Sequence, residues 1–276
     1  MKMIFKLLTG FFLLVALLPA SGATVDTVSI YSNAMQKEFK CVVIKPGTGM
    51  EKQAPLPVVY LLHGYDGWYS NWLIRVPQLK EYADQYQLMI VCPDGGKSSW
   101  YIDSPIDPSM RYETYIGIEV PEYIDAHYAT IKDRKGRAIT GLSMGGHGGL
   151  FLGFRHADLF GACGSMSGGV DLNFSHNKYD VAKRIGDTIT YADNWKNYSV
   201  INIVEHYPKD SLTIIFDIGT EDFFYKDNHA LHEKMLQLKI PHEYIERPGK
   251  HEWAYWRNAV QYQMLFFSNY FRRNKS

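Results

Sequence analysis

Two apolar runs without polar alternation, Pro57–Leu62 and Leu88–Cys92, constrain this chain most. A strand that faces water on one side alternates apolar with polar residues. One that is apolar throughout is buried on both faces, as in a parallel sheet covered by helices. Further strands are predicted at Arg137–Thr140, Phe160–Met166, Leu212–Ile218 and His242–Glu246. Helical stretches fall between or after them at Val76–Gln85, Tyr112–Tyr128, Gly148–Phe154, Asn228–Leu238 and Glu252–Arg272. Pro121 inside the second of these predicts a bend. Val25–Tyr31 and Glu38–Lys45, joined through Ser32-Asn33, come first and suggest an antiparallel edge. The pattern predicts one α/β domain over residues 24–276: a mostly parallel, doubly wound sheet with antiparallel N-terminal strands. Residues 171 to about 209 break the rhythm and read as a small helical, cap-like insertion over the site. In such sheets, sites form from loops at the carboxyl ends of the strands.

One of those loops is Gly141-Leu142-Ser143-Met144-Gly145-Gly146. A serine on a sharp turn from strand to helix needs neighbours without bulky side chains, because strand and helix backbones pass close there. The turn lifts the hydroxyl off the sheet and aims the first helical amides at whatever bonds to it. The bland alternative is a glycine-rich turn in which Ser143 only caps the helix. Two later strand-end loops carry Asp222 and then His251. The chain order serine, acid, histidine fits a nucleophilic Ser143, a base His251 and an orienting Asp222. Glu221 and Asp217 are rival acids, and His147, one helical turn past Ser143, is expected to pack near the turn. An oxyanion hole would take the amide of Met144 and, from His63-Gly64-Tyr65-Asp66-Gly67, the amide of Tyr65.

These motifs, with Ser99-Trp100-Tyr101-Ile102-Asp103, Gly219-Thr220-Glu221-Asp222 and His251-Glu252-Trp253-x-x-Trp256, resemble the putative-esterase family of α/β-hydrolases. That family includes esterase D (S-formylglutathione hydrolase), feruloyl and acetylxylan esterases, and mycolyltransferases. The resemblance covers about Val25 to Phe271. It implies an α/β-hydrolase fold, an acyl-enzyme on Ser143, and no metal or organic cofactor.

The chain carries 29 Lys plus Arg and 29 Asp plus Glu. Zero formal charge argues against a nucleic-acid partner. Lys2 and Lys6, the apolar stretch Leu7–Leu18 and the small residues Pro19–Ala23 read as a cleavable signal peptide over residues 1–23, which predicts a secreted or periplasmic protein without stable membrane insertion. Cys41, Cys92 and Cys163 lie in apolar strand-like runs and read as buried thiols, with one disulfide left open.

The expected function is hydrolysis of carboxylic esters on a small molecule or oligosaccharide, with feruloyl or acetyl groups on carbohydrate favoured. Trp100, Tyr101, Trp253 and Trp256, with Trp68 and Trp72, flank the site loops, and flat aromatic faces suit sugar rings and phenolic groups. Rival readings are a general short-chain carboxylesterase, an S-formylglutathione hydrolase-like thioesterase, an acyltransferase to a sugar, and a catalytically silent carbohydrate-binding protein.

Overall fold

The computed structural model describes residues 22–47, 54–175, 178–206 and 212–274. Apart from Gly22 and Ala23, the expected signal peptide lies outside them. The strands are β1 (Thr24–Ser32), β2 (Lys37–Lys45), β3 (Val58–Leu62), β4 (Met89–Pro93), β5 (Arg137–Gly141), β6 (Ala162–Met166), β7 (Thr213–Gly219) and β8 (Glu243–Arg247). They form one sheet in the order β1-β2-β4-β3-β5-β6-β7-β8. β2 runs antiparallel to β1 and to β4. From β4 to β8 every pairing is parallel.

Side chains alternate between two cores. Val58, Tyr60 and Leu62 of β3 face one side, and Val59 and Leu61 the other. The helices are α1 (Asn71–Arg75), α2 (Leu79–Tyr86), α3 (Tyr112–Thr114), α4 (Val120–His127), α5 (Met144–Arg155), α6 (Val181–Ile185), α7 (Ala192–Asn197), α8 (Val200–Ile203), α9 (Tyr225–Gln237) and α10 (Trp253–Arg273). Leu150, Phe151 and Leu152 of α5 and Leu231 and Met235 of α9 cover the first face. Trp72 of α1, Leu79 and Ala83 of α2, and Val260, Met264 and Phe267 of α10 cover the second. The sheet is therefore wound on both sides, which is why its strands read as continuously apolar.

The bend expected near Pro121 takes a definite form. A π-helical turn over Tyr115–Glu119 separates α3 from α4, and Pro121 sits in the first turn of α4. The backbone stays helical through Glu119 and Val120, so the missing N–H of Pro121 interrupts the ladder just where the π-helical turn loosens it. Cys41 and Cys163 face one core and Cys92 the other, and all three are free and buried. Between β6 and β7, the described residues of the 171–209 segment hold a short turn over Leu172–Ser175 and the helices α6, α7 and α8. Val181, Ile185, Trp195 and Val200 of this segment are buried in the core with α5 and α9. Among the described residues no helix is long and apolar enough to cross a membrane.

Candidate active site

Ser143 joins β5 to α5 with φ 55° and ψ −115°. A non-glycine residue with positive φ is strained by about 1–3 kcal/mol, and such strain persists only where the surroundings impose it. Here the neighbours impose it. A Cβ at Gly145 would lie 2.5 Å from the Leu62 carbonyl oxygen and 2.6 Å from that of His63. At Gly141 it would lie 2.5 Å from the same Leu62 oxygen. The turn is thus clamped against the end of β3, and only glycine fits on either side of the serine. Ser143 makes no side-chain capping bond to α5, so its hydroxyl is free for other work.

That hydroxyl lies 2.8 Å from His251 Nε2. His251 Nδ1 lies 2.9 Å from Asp222 Oδ2 and 3.1 Å from Oδ1. A carboxylate can only accept, so Nδ1 carries the proton and Nε2 is left to accept the hydroxyl proton of Ser143. Asp222 is almost fully buried, and its Oδ1 also accepts the Phe224 amide at 2.9 Å. Three aromatic rings cage the imidazole: Phe223 at 4.3 Å, Phe224 at 5.2 Å and Trp256 at 4.9 Å between centroids. The rival acids lie elsewhere. Glu221 is exposed and 3.7 Å from Lys250 Nζ. Asp217 is buried in β7, where Gln263 Nε2 donates to it at 2.9 Å and Arg247 lies 3.3 Å away. Burial, opposed by Arg247 and Gln263, pushes the Asp217 carboxyl up to about 6.

His63 follows β3 directly and fixes the loop there. Its Nδ1–H donates to the Gly64 carbonyl at 2.8 Å, and its Nε2 accepts the Gly95 amide at 2.8 Å. Burial holds this imidazole below its ordinary value, so it is neutral, as the accepting Nε2 requires. Tyr65 lines the cleft beside Ser143. Met144 is the first residue of α5, so its amide has no acceptor within the helix.

A cleft of about 330 Å³ opens over Ser143 and His251. Trp68, Trp100, Trp253 and Trp256 line it, together with Phe174, Tyr179, Phe223 and Phe224. Two of the expected aromatics are absent from its wall. Tyr101 is fully buried, and its hydroxyl donates to the His63 carbonyl at 2.8 Å. Trp72 is also buried, and its indole donates to the Leu62 carbonyl at 2.8 Å. Both brace the loop after β3 from beneath; the polar residues around Trp100 and Tyr101 mimic an exposed loop. Trp100 reaches the cleft only by an edge, being 1 % exposed, and its indole donates to the Tyr179 carbonyl at 2.9 Å. The sequence reading overlooked Phe223 and Phe224, although they follow Asp222 directly. Phe174 and Tyr179 come from the insertion expected over the site, and Arg75, at the end of α1, gave no signal in the sequence. His147 is buried between the Trp100 and Tyr198 carbonyls, at 3.0 and 2.9 Å, and does not reach the cleft. Among the described residues no group of three or more His, Cys, Asp or Glu side chains is placed to hold a metal ion.

The profile of the family described as "Putative esterase" matches residues 32–267. The acetyl esterase of Caldicellulosiruptor saccharolyticus is 25% identical over 252 residues, covering 84% of this chain and 94% of that protein. The diacylglycerol acyltransferase/mycolyltransferase Ag85B of Mycobacterium leprae (strain TN) is 31% identical over 185 residues, 63% of this chain and 54% of that protein. A solved ferulic acid esterase superposes with a TM-score of 0.77 at 28% identity, over 91% of this chain and 99% of that one. The architecture is the α/β-hydrolase fold.

Proposed function

The chain belongs to the family described as "Putative esterase", and from that premise we propose that it is a secreted serine esterase acting through an acyl-enzyme on Ser143. The observation that carries this reading is the run of hydrogen-bonding distances from Ser143 Oγ through His251 to Asp222. His251 takes the hydroxyl proton as Oγ attacks the ester carbonyl, and the amides of Met144 and Tyr65 receive the developing oxyanion. His251 then returns the proton to the leaving alcohol. Water, activated by the same imidazole, releases the acid.

The test is p-nitrophenyl acetate hydrolysis by purified variants. Ser143→Ala is expected to lose on the order of a millionfold in turnover. Asp222→Asn is expected to lose roughly ten-thousandfold, far more than Glu221→Gln or Asp217→Asn. Residual activity above a few per cent in Ser143→Ala would sink the assignment.

An ester on carbohydrate is the favoured substrate, because exposed aromatic faces suit sugar rings. Trp68 and Phe223 line the cleft and are 45% and 58% exposed. Their joint replacement by alanine is expected to cost more on a feruloylated or acetylated xylo-oligosaccharide than on p-nitrophenyl acetate. Equal losses would leave a general short-chain esterase. Acyl transfer to a sugar alcohol is the second reading, favoured by the likeness to a protein named an acyltransferase. Product analysis with a sugar acceptor separates the two.

Secretion rests on the N-terminal pattern of Lys2 and Lys6, the apolar stretch Leu7–Leu18 and the small residues Pro19–Ala23. The exported protein is expected to begin at Thr24 by intact mass. An uncleaved chain would remove this support.

A further inference from the structure

Apart from His251, the cleft wall carries two side chains with a full charge, Asp66 and Arg75. The first is already paired: Lys97 Nζ lies 3.3 Å from Asp66 Oδ1. Arg75 has no carboxylate within ion-pair distance among the described residues. Its guanidinium lies 5.8 Å from the centre of the Trp253 ring. Trp253 meets Trp256 edge to face at 5.4 Å, and Trp256 meets His251 the same way at 4.9 Å. Trp253 is braced from behind by buried Trp72 at 5.3 Å. A row of packed rings therefore leads from His251 to Arg75, the one cationic side chain of the cleft wall besides the imidazole.

We propose that Arg75 is a specificity residue that binds a carboxylate carried by the substrate, so that the cleft favours esters with an anionic substituent. This rests on the esterase reading of the same site. A guanidinium presents a planar fork of donors that matches a carboxylate in two parallel hydrogen bonds. The cation–π contact with Trp253, at 5.8 Å, favours guanidinium positions on the cleft side before substrate arrives, which reduces the ordering cost of binding. A neutral sugar offers hydroxyl acceptors alone, which gain less from the cation than a carboxylate does. Arg75 stands at the rim and is exposed, so the gain is moderated by solvent.

The experiment compares kcat/KM on two matched pairs of esters. One pair, 4-nitrophenyl hydrogen glutarate and 4-nitrophenyl butyrate, places the carboxylate on the acyl side. The other, 4-acetoxybenzoate and its methyl ester, places it on the alcohol side. In Arg75→Gln the anionic-to-neutral ratio is expected to fall about three- to tenfold in at least one pair. Arg75→Lys keeps part of it. Raising salt from about 0.05 to about 0.5 M lowers the wild-type ratio and leaves that of Arg75→Gln nearly unchanged. Because each ratio is measured on one preparation, partial unfolding cancels. Ratios that stay within twofold of wild type in both pairs would overturn the proposal and leave Arg75 a solvated surface cation. Failure of the wild type on all four esters would instead overturn the esterase reading, and this proposal with it.

Discussion

Tyr101 shows how one hydroxyl sets the position of a loop beside the candidate site. It bonds the His63 carbonyl from below, while the His63 ring bonds Gly64 and Gly95. Together they fix the backbone that leads to Tyr65. Both Trp100 and Tyr101 have positive φ, 54° and 60°, which is how a chain leaving the loop after β4 turns both side chains inward. Tyr101→Phe removes the donor and leaves a buried carbonyl without a partner, at a cost of about 1–3 kcal/mol. The expected result is a lower urea midpoint and a lower kcat, equal for acetyl and feruloyl esters. A substrate contact would instead change the ratio between those esters, so the selectivity measurement separates the two roles.

At the scale of elements, the strand–turn–helix of β5 and α5 is held by backbone-to-backbone approach. A methyl at position 145 would press on two carbonyls of the loop after β3. Gly145→Ala therefore has to separate α5 from β3. A shift of this kind near the reacting atoms can cost on the order of a hundredfold in rate. Near-wild-type turnover with native circular dichroism would show that the clamp is dispensable. This element was legible in the sequence because a tight turn requires glycines at fixed offsets. The buried strands were legible because burial on both faces removes alternation. The short helix α1, only five residues long, carries no periodicity to detect, and so Arg75 at its end was invisible. The break at Tyr115–Glu119 could be placed near Pro121, but its π-helical form depends on packing. Aromatics mislead for a related reason: the same ring suits a core and a binding face. Trp68 and Trp72 are four residues apart, yet one is 45% exposed and the other 1%. Only the direction in which α1 leaves the loop after β3 separates them.

Two buried titratable groups tie distant layers together and set the molecule's response to acid. His147 joins α5 to the loop carrying Trp100 and to Tyr198 of the 171–209 segment. Both its nitrogens face carbonyl oxygens, an arrangement that favours the imidazolium, but burial is the larger effect and pushes it down to about 4. Between its ordinary value of 6.5 and about 4, the unfolded chain binds the extra proton, so His147 lowers stability as pH falls. Asp217 joins β7 to β8 and α10 through Arg247 and Gln263. Its value rises from 3.8 to about 6, so in that window the folded chain binds the extra proton. Asp217 therefore raises stability as pH falls. Each is worth about 3 kcal/mol across overlapping windows, with opposite sign, so in the wild type they nearly cancel. Removing one exposes the other. Relative to wild type, Asp217→Asn is expected to lose more stability between pH 7 and pH 4, and His147→Gln to lose less or to gain. Urea midpoints at those two pH values measure the difference, with the other carboxylates as a shared background. Parallel slopes for all three proteins would mean that neither buried group governs acid tolerance. The reverse order would mean that the two carbonyls, rather than burial, set the charge of His147.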